Sequence, residues 1–358
     1  MRQAELHANP VTLLEQMLRI RSLSGQEEHV ARFLVDEMAQ LGLLAFVDGA
    51  GNAVGEVGTG PTVVLLGHID TVPGEIPVRI DNGRLYGRGA VDAKGPFATF
   101  IGAAARLIAR HELRLRLVLV GAVEEEAASS KGAHYIVERY APSACIIGEP
   151  SGWDRLTLGY KGRLLIEGRW DQPMAHSAGS DIAVAERAVA FWNAVKAYSD
   201  TSNTGKQRLF DQLIPSLRAI SSGSDGITDW AELTIGLRLP LDVDPDDLIQ
   251  ALSRHAEGGQ LHFRGGCRAY CGDKNNPLVR SFLKSVRAVG GTPGFLLKTG
   301  TSDMNVVGPT WGCPILAYGP GDSSLDHTPN EYVEIAEFER AIDVLEGALL
   351  QLQQIGFG

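Results

Sequence analysis

Three apolar runs, each ending on polar residues, constrain the fold of this chain more than any other feature. They are TVVLLG (62–67), LRLVLVGAV (115–123) and ACIIG (144–148). Runs this short and this continuously apolar suit strands covered on both faces, as in parallel sheets. Between them, Pro96 to Arg110 carries small apolar residues at helical spacing, and a further helix is expected from about Lys131. Strand, helix, strand, helix, strand predicts a doubly wound α/β sheet, and such sheets bind ligands beyond the carboxyl ends of their strands.

On the amino-terminal side, Val11 to Leu43 reads as two amphipathic helices broken at SLSG (22–25), with Ser24 and Glu27 spaced as a capping box. After ACIIG the pattern changes. It runs strand (RLLIEGRW), helix (Ala183 to Tyr198), a Ser/Gly/Asp-rich stretch (221–226), strand (ELTIGLRL), helix (Asp244 to His255) and strand (QLHFRG). That order suits a small α+β unit of ferredoxin-like type. Helix and strand resume from Asn276, through CPILAYG (313–319), to a last helix from Ile335 to Gln354. The expected architecture is an α/β domain built from residues 1–155 and 275–358, with an α+β domain at 156–274 inserted into it.

The formal net charge of −10 over 358 residues, with no Lys/Arg block, argues against nucleic acid or an anionic membrane as the main partner. The amino terminus lacks an apolar signal core, and no stretch approaches 18 uncharged apolar residues, so a soluble cytoplasmic protein is expected. Cys145, Cys267, Cys271 and Cys313 offer one close pair and no second pair, which favours buried or free thiols over a zinc knuckle.

His68 follows the first apolar run directly, and Asp70 stands two residues on, before a turn at Pro73. Asp92 in GRGAVDAKG, the triplet Glu124, Glu125 and Glu126, and Glu149 in GEPS are also expected just past buried strands. Taken singly, the triplet fits a solvated helix start and GEP a turn. Converging on one sheet edge, these acids would repel unless a cation held them. Imidazole and carboxylate without thiolate favour Zn2+ or Co2+ over the all-oxygen sites of Ca2+ and Mg2+. There are more acids than one tetrahedral ion needs, which suggests two ions sharing a carboxylate, with one acid left as a base.

GHIDTVP, GRGAVDAKG, a Glu-Glu pair after a strand, GEPS and LDHTPNEYV, in that order across residues 62–332, resemble the dinuclear zinc aminoacylase and carboxypeptidase family. That family includes acetylornithine deacetylase and succinyl-diaminopimelate desuccinylase. The resemblance implies a zinc-peptidase-like catalytic domain, and it makes the inserted unit a dimerisation or lid domain and the protein a homodimer. It also implies that Asp92 bridges two metals, that His68 and Glu149 hold one, and that His327 and Glu126 hold the other. Asp70 would orient the His68 ring, and Glu125 would be the general base in amide hydrolysis. Where the family shows Asp-Glu-Glu, this chain has Val123-Glu124-Glu125-Glu126, so Glu124 and Glu125 are the alternative register. A non-proline cis peptide is implied at Asp92-Ala93. MAHSAG (174–179) matches an HSA motif whose histidine, here His176, would reach a partner subunit's substrate and stabilise the developing oxyanion.

TGTSDMNV (299–306) resembles the family's substrate-carboxylate turn, with Thr301 and Ser302 at a helix start able to take an anion. Gly319 in YGPGDSS adds a glycine-rich approach. Lys298 and Arg238 are candidates for binding an α-carboxylate, and Asp303 and Asp322 for a side-chain amine. Within the family, GAVEEEAASSKGA, GEPSGWDRLTLGYKGRL and YGPGDSSLDHTPNEYVE look most like the lysine and arginine biosynthesis branch that works on a carrier protein. The resemblance then implies release of lysine or ornithine from the γ-carboxyl of the terminal glutamate of a small acidic amino-group carrier protein. Arg155, Lys161, Arg163 and Arg169 would be its docking cluster, or else an ordinary solvated face. A deacetylase or dipeptidase would share every metal residue. A non-catalytic binding protein is disfavoured, because all ligand positions are filled.

Overall fold

The computed structural model of the protein describes residues 9–111, 113–174 and 182–357. The chain forms two compact units. The first runs as far as Gly159 and takes in Gly272–Leu297 and the chain from Ser302; the second holds Tyr160–Cys271 and Lys298–Thr301.

The first unit opens with α1 (Pro10–Arg19), α2 (Glu28–Gln40), β1 (Leu44–Val47), β2 (Ala53–Val57) and β3 (Thr62–His68). There follow β4 (Arg79–Asp81), β5 (Arg84–Tyr86), α3 (Lys94–Arg110), β6 (Arg116–Ala122), α4 (Lys131–Val137), β7 (Ala144–Gly148) and β8 (Arg155–Tyr160). The second unit contains β9 (Gly162–Pro173), α5 (Val184–Ser202), β10 (Ile214–Ser224), β11 (Thr228–Leu239), α6 (Pro245–Ser253), β12 (Gln260–Cys267) and β13 (Tyr270–Cys271). The chain then continues through α7 (Pro277–Ala288), β14 (Gly294–Lys298), α8 (Met304–Trp311), β15 (Ile315–Ala317), β16 (Tyr332–Glu334) and α9 (Ile335–Ile355).

β3 is the hub of the large sheet. Its residues from Val63 to His68 are all buried, and β6 and β7 pair with it in parallel on either side. The strand order is β1-β2-β6-β3-β7-β15-β8, with β1, β2 and β8 joining antiparallel to their neighbours. Near the carboxyl ends, Gly67 is in register with Gly121 on β6 and Gly148 on β7. A Cβ on Gly67 or Gly121 would press on Phe97, and one on Gly148 on Phe100, so this glycine row lets the first turns of α3 lie close against the sheet. That approach brings Asp92, just before α3, to the strand ends carrying His68 and Glu149.

α3 is buried over most of its length and packs against α1 and α9, and α7 packs on α9 in turn. Asn9 caps α1 by accepting from Val11 and Thr12 N–H, with Pro10 as the first helical residue. At the other end of α1, the buried Lys94 Nζ donates to Met17 O and Ile20 O, satisfying carbonyls the helix leaves open. The expected capping box does not form: Ser24 Oγ donates to Asp70, and Glu27 Oε1 accepts from Gly25 and Glu124 N–H. Both side chains are taken up by the site described below. A small sheet, β16-β5-β4, sets Tyr332 opposite Tyr86 and so fastens the chain after Glu331 beside the GRGAVD loop.

In the second unit the order β9-α5-β10-β11-α6-β12 closes an antiparallel sheet, β10-β11-β9-β12, the ferredoxin-like arrangement. Trp170, Phe191, Ile235 and Leu252 are among its buried core. Of the four strands of this sheet, β10 is the one that sequence pattern missed. It is an edge strand with mostly exposed side chains, and the Ser221–Ser224 stretch read as irregular pairs with Asp229–Glu232.

Three of the four residues of the expected basic docking cluster are already engaged. Lys161 is buried, its Nζ donating to Leu209 O at 3.1 Å, to Phe210 O at 3.0 Å and to Gln212 O, and burial draws its ammonium down to about 8. Arg169 pairs with Asp171 and Glu232, and Arg155 with Asp154. All four cysteines are free thiols, and no helix of the described residues is long and apolar enough to cross a membrane. Lys161→Met keeps the apolar stem but strands three carbonyls. It is expected to destabilise the protein by about 2–3 kcal/mol, read as a lowered Tm in calorimetry. An unchanged Tm would mean that the ammonium contributes nothing there.

Candidate metal centre

β3 delivers His68, the residue after β7 is Glu149, and the loop before α3 presents Asp92. His68 Nε2 lies 3.1 Å from Asp92 Oδ1, 3.9 Å from Glu125 Oε2 and 4.0 Å from Glu149 Oε1. His327 Nε2 lies 3.0 Å from Asp92 Oδ2 and 2.9 Å from Glu126 Oε1. Asp92 therefore turns one oxygen to each imidazole. Two donor sets come within reach of an ion: His68, Asp92 and Glu126, and His68, Glu125 and Glu149.

Among the described residues, Asp92, Glu125 and Glu126 meet no Lys or Arg; their ion pairs run to the two imidazoles. Burial pushes the Glu125 carboxyl well above the usual carboxylate range, against the pull of His68 and with the push of Glu149 and Asp303. Burial opposes charge on His68, yet its hydrogen bonds to Asp70 and Asp92 hold the imidazole well above an ordinary histidine. Asp92 and Glu126 raise His327 to about 10. Two imidazoles and four carboxylates with no thiolate match the donors of a zinc-type centre, and the packed acids leave a charge deficit that cations would fill. These residues fit a pair of divalent ions.

The glutamate triplet is oriented through its backbone. Glu27 Oε1 accepts from Glu124 N–H at 3.0 Å, Asp70 Oδ1 from Glu125 N–H at 3.1 Å, and Asp70 Oδ2 from Glu126 N–H at 3.0 Å. Glu124 takes a left-handed backbone, φ 57°, and its carboxylate meets Ser129 Oγ at 2.7 Å and Lys131 Nζ at 3.5 Å. Glu125 and Glu126 are thereby the members that face the imidazoles. Asp70 also flanks His68, whose Nδ1 is 3.1 Å from the Asp70 carbonyl oxygen and 3.3 Å from Oδ1. Burial works to raise the Asp70 carboxyl, but His68, Ser24 and the Glu126 N–H hold it below its ordinary value.

Glu331 is a residue of this site that sequence reasoning did not single out. It is fully buried; Oε1 accepts from Gly89, Val91 and Asp92 N–H at 2.9, 2.9 and 3.1 Å, and Oε2 takes Arg88 Nη1 at 2.8 Å. One carboxylate thus shapes the loop that presents Asp92, from 239 residues away. Its only sequence signal is its place in LDHTPNEYV. The Asp92-Ala93 peptide is cis.

The expected substrate residues are placed as follows. Ser302 is buried at the start of α8, its N–H on Asn305 Oδ1 and its Oγ accepting from Met304 N–H. Gly319 gives close passage, since a Cβ there would stand 2.6 Å from Pro96 and 2.9 Å from Glu149 O. Asp303 is buried, its Oδ1 without a hydrogen-bond partner among the described residues, and burial pushes its carboxyl up to about 7. Asp322 caps a short 3-10 turn through Ser324 N–H. In the second unit, Arg238 Nη1 donates to Thr301 Oγ1 at 3.2 Å, and Lys298 O accepts from Lys161 N–H. His176 lies outside the described residues.

The sequence profile of peptidase family M20/M25/M40 matches residues 64–351. The chain belongs to this family. As an M20 member it is a metal-binding hydrolase. It is 47% identical over 347 residues, 95% of this chain and 96% of the other, to the LysW-lysine hydrolase of Deinococcus radiodurans. Its fold is similar to an M20 metallo-carboxypeptidase, Sso-CP2, from Sulfolobus solfataricus (TM-score 0.82, 20% identity, covering 97% and 100% of the two chains). A dinuclear metal binding M20 peptidase, YXEP, from Bacillus subtilis also matches in fold (TM-score 0.73, 14% identity, covering 98% and 99%).

Because both imidazoles hold protons above the ordinary histidine range, incoming ions must displace them. Zn2+ loading of the metal-free M20 hydrolase is expected to release protons, and its affinity to strengthen as pH rises from about 6 to about 9. Calorimetry in buffers of differing ionisation enthalpy measures both, and a flat affinity over that window contradicts the raised imidazoles. Glu331→Gln, which loses an anionic acceptor from the Asp92 loop, should weaken metal binding by about 10- to 100-fold in a chelator competition.

Proposed function

We propose that this M20 hydrolase cleaves the amide joining lysine, or ornithine, to the γ-carboxyl of the carboxyl-terminal glutamate of an acidic amino-group carrier protein, in lysine and arginine biosynthesis. The observation that carries the hydrolytic reading is Asp92 set between His68 and His327 with Glu125 beside them. The similarity to the LysW-lysine hydrolase supports the substrate, with LysW as the carrier.

In this reading His68 and Glu149 would hold one ion, His327 and Glu126 the other, and Asp92 would serve both. Zn2+ is the favoured metal, with Co2+ as the alternative. Bound there, the pair would supply Lewis acidity and a water acidic enough to lose a proton near neutral pH. Glu125, raised by burial, takes that proton and hands it to the departing α-amine. Asp70 keeps the His68 ring and the Glu125 backbone in place. Ser302, Thr301, Lys298, Arg238 and Gly319 are assigned to substrate binding, and His176 to the oxyanion, reached across a homodimer built on the ferredoxin-like unit. The site of action is assigned to the cytoplasm.

The test is release of free amino acid by the zinc- or cobalt-loaded protein, comparing carrier-linked lysine with N-acetylornithine at equal concentration. Carrier-linked lysine is expected to be strongly preferred, with Glu125→Gln losing about 10²- to 10⁴-fold in kcat and Glu124→Gln staying near the wild type. Preference for N-acetylornithine would make the protein a deacetylase on the same metal residues. Full activity of Glu125→Gln would move the base to Glu124.

A further inference from the structure

α7 has a charge pattern at odds with the rest of this acidic chain. Its sequence, PLVRSFLKSVRA, holds three bases and no acid in a protein of formal net charge −10. Arg280, Lys284 and Arg287 fall at i, i+4 and i+7, which aligns them along one stripe about 10 Å long. All three are exposed, while Leu278, Val279, Phe282 and Val286 are buried. Among the described residues none of the three has a carboxylate partner; the Arg287 guanidinium donates only to Leu283 O of its own helix. Many exposed arginines elsewhere are neutralised, as in Arg19 with Glu15, Arg32 with Glu28, Arg106 with Asp343 and Arg208 with Asp211; others, such as Arg114, Arg218 and Arg254, are not so paired among the described residues, but they do not line up as a stripe on one helix. Like charges at i and i+4 weaken a helix by a few tenths of a kcal/mol, so the stripe is not explained by the stability of α7.

The carboxyl end of α7 abuts the loop that follows Glu149. Gly291 lies so close to Trp153 that a Cβ would stand 2.8 Å from the indole. Arg340, exposed and also without a carboxylate partner among the described residues, lies over that indole at 5.2 Å from the ring centroid. Trp153 N–H in turn shares Glu337 Oε1 with Gly321 N–H. A run of unneutralised cations thus leads along α7 to the loop between Glu149 and Trp153.

We propose that Arg280, Lys284 and Arg287, extended by Arg340 on Trp153, form the surface on which an acidic protein docks. Resting on the function proposed above, that protein is the amino-group carrier. Charge complementarity of this kind acts mainly on encounter and register, so it governs the carrier-linked substrate and leaves the chemistry at the ions alone.

The experiment uses the zinc-loaded full-length protein with two substrates: LysW bearing lysine on its terminal glutamate, and free γ-glutamyl-lysine, which has the same scissile amide and no protein surface. For Arg280→Glu/Lys284→Glu/Arg287→Glu, kcat/KM on LysW-lysine is expected to fall about tenfold or more, mainly through KM, and to lose most of its dependence on salt. Turnover of γ-glutamyl-lysine should follow the wild type. The charge-keeping variant Arg280→Lys/Lys284→Arg/Arg287→Lys should retain both activities. Equal loss on the two substrates, or no loss on LysW-lysine, overturns the docking surface while leaving the proposed function standing. A wild-type enzyme that leaves LysW-lysine intact overturns both.

Discussion

Mutual repulsion among Asp92, Glu125, Glu126 and Glu149 is the constraint on which the rest of this structure depends. Four acids gathered around two imidazoles would separate if their side chains were free to do so. They are held by a frame of other carboxylates that serve as backbone acceptors. Asp70 and Glu27 take three consecutive N–H groups of the glutamate triplet, and Glu331 takes three from the Asp92 loop. Each acceptor is buried, which makes its bonds directional and makes loss of any one of them costly.

The frame works because the sheet and α3 approach closely. Gly67, Gly121 and Gly148 remove side chains where Phe97 and Phe100 must lie, and that settles where Asp92 ends up relative to His68. Apolar packing therefore decides the distances between charged groups. Lys94 extends the same logic to the amino-terminal side by closing α1 against the start of α3.

The acids and imidazoles that the structure brings together were legible in the sequence because each follows a recognisable apolar run or sits in a motif. His68, Asp92 and Glu149 were read from strand ends and their neighbourhood, and the choice between Glu124 and Glu125 stayed open. The reason is physical: orientation within the triplet is set by Glu27 and Asp70, and no local pattern encodes a bond spanning 97 residues. Ser24 and Glu27 matched a capping box so well that the local reading concealed their tertiary one. β10 escaped because an exposed edge strand has no buried face to impose alternation. The basic cluster around Lys161 failed for the opposite reason, since adjacency in sequence carries no information on which side chains are already paired.

The reach of Glu331 and His327 back to Asp92 has a consequence for how the protein is made. Contacts that close loops of more than 230 residues are slow to form, and here the intervening chain includes an entire second unit. During translation the first unit can lay down β3, α3, β6 and β7 early. The Asp92 loop nevertheless lacks its acceptor, and the centre its second imidazole, until residue 331 has left the ribosome. The full donor set is therefore complete only late in synthesis: a partly made chain can hold the glutamate triplet through Glu27 and Asp70, but it has neither the acceptor that shapes the Asp92 loop nor the second imidazole.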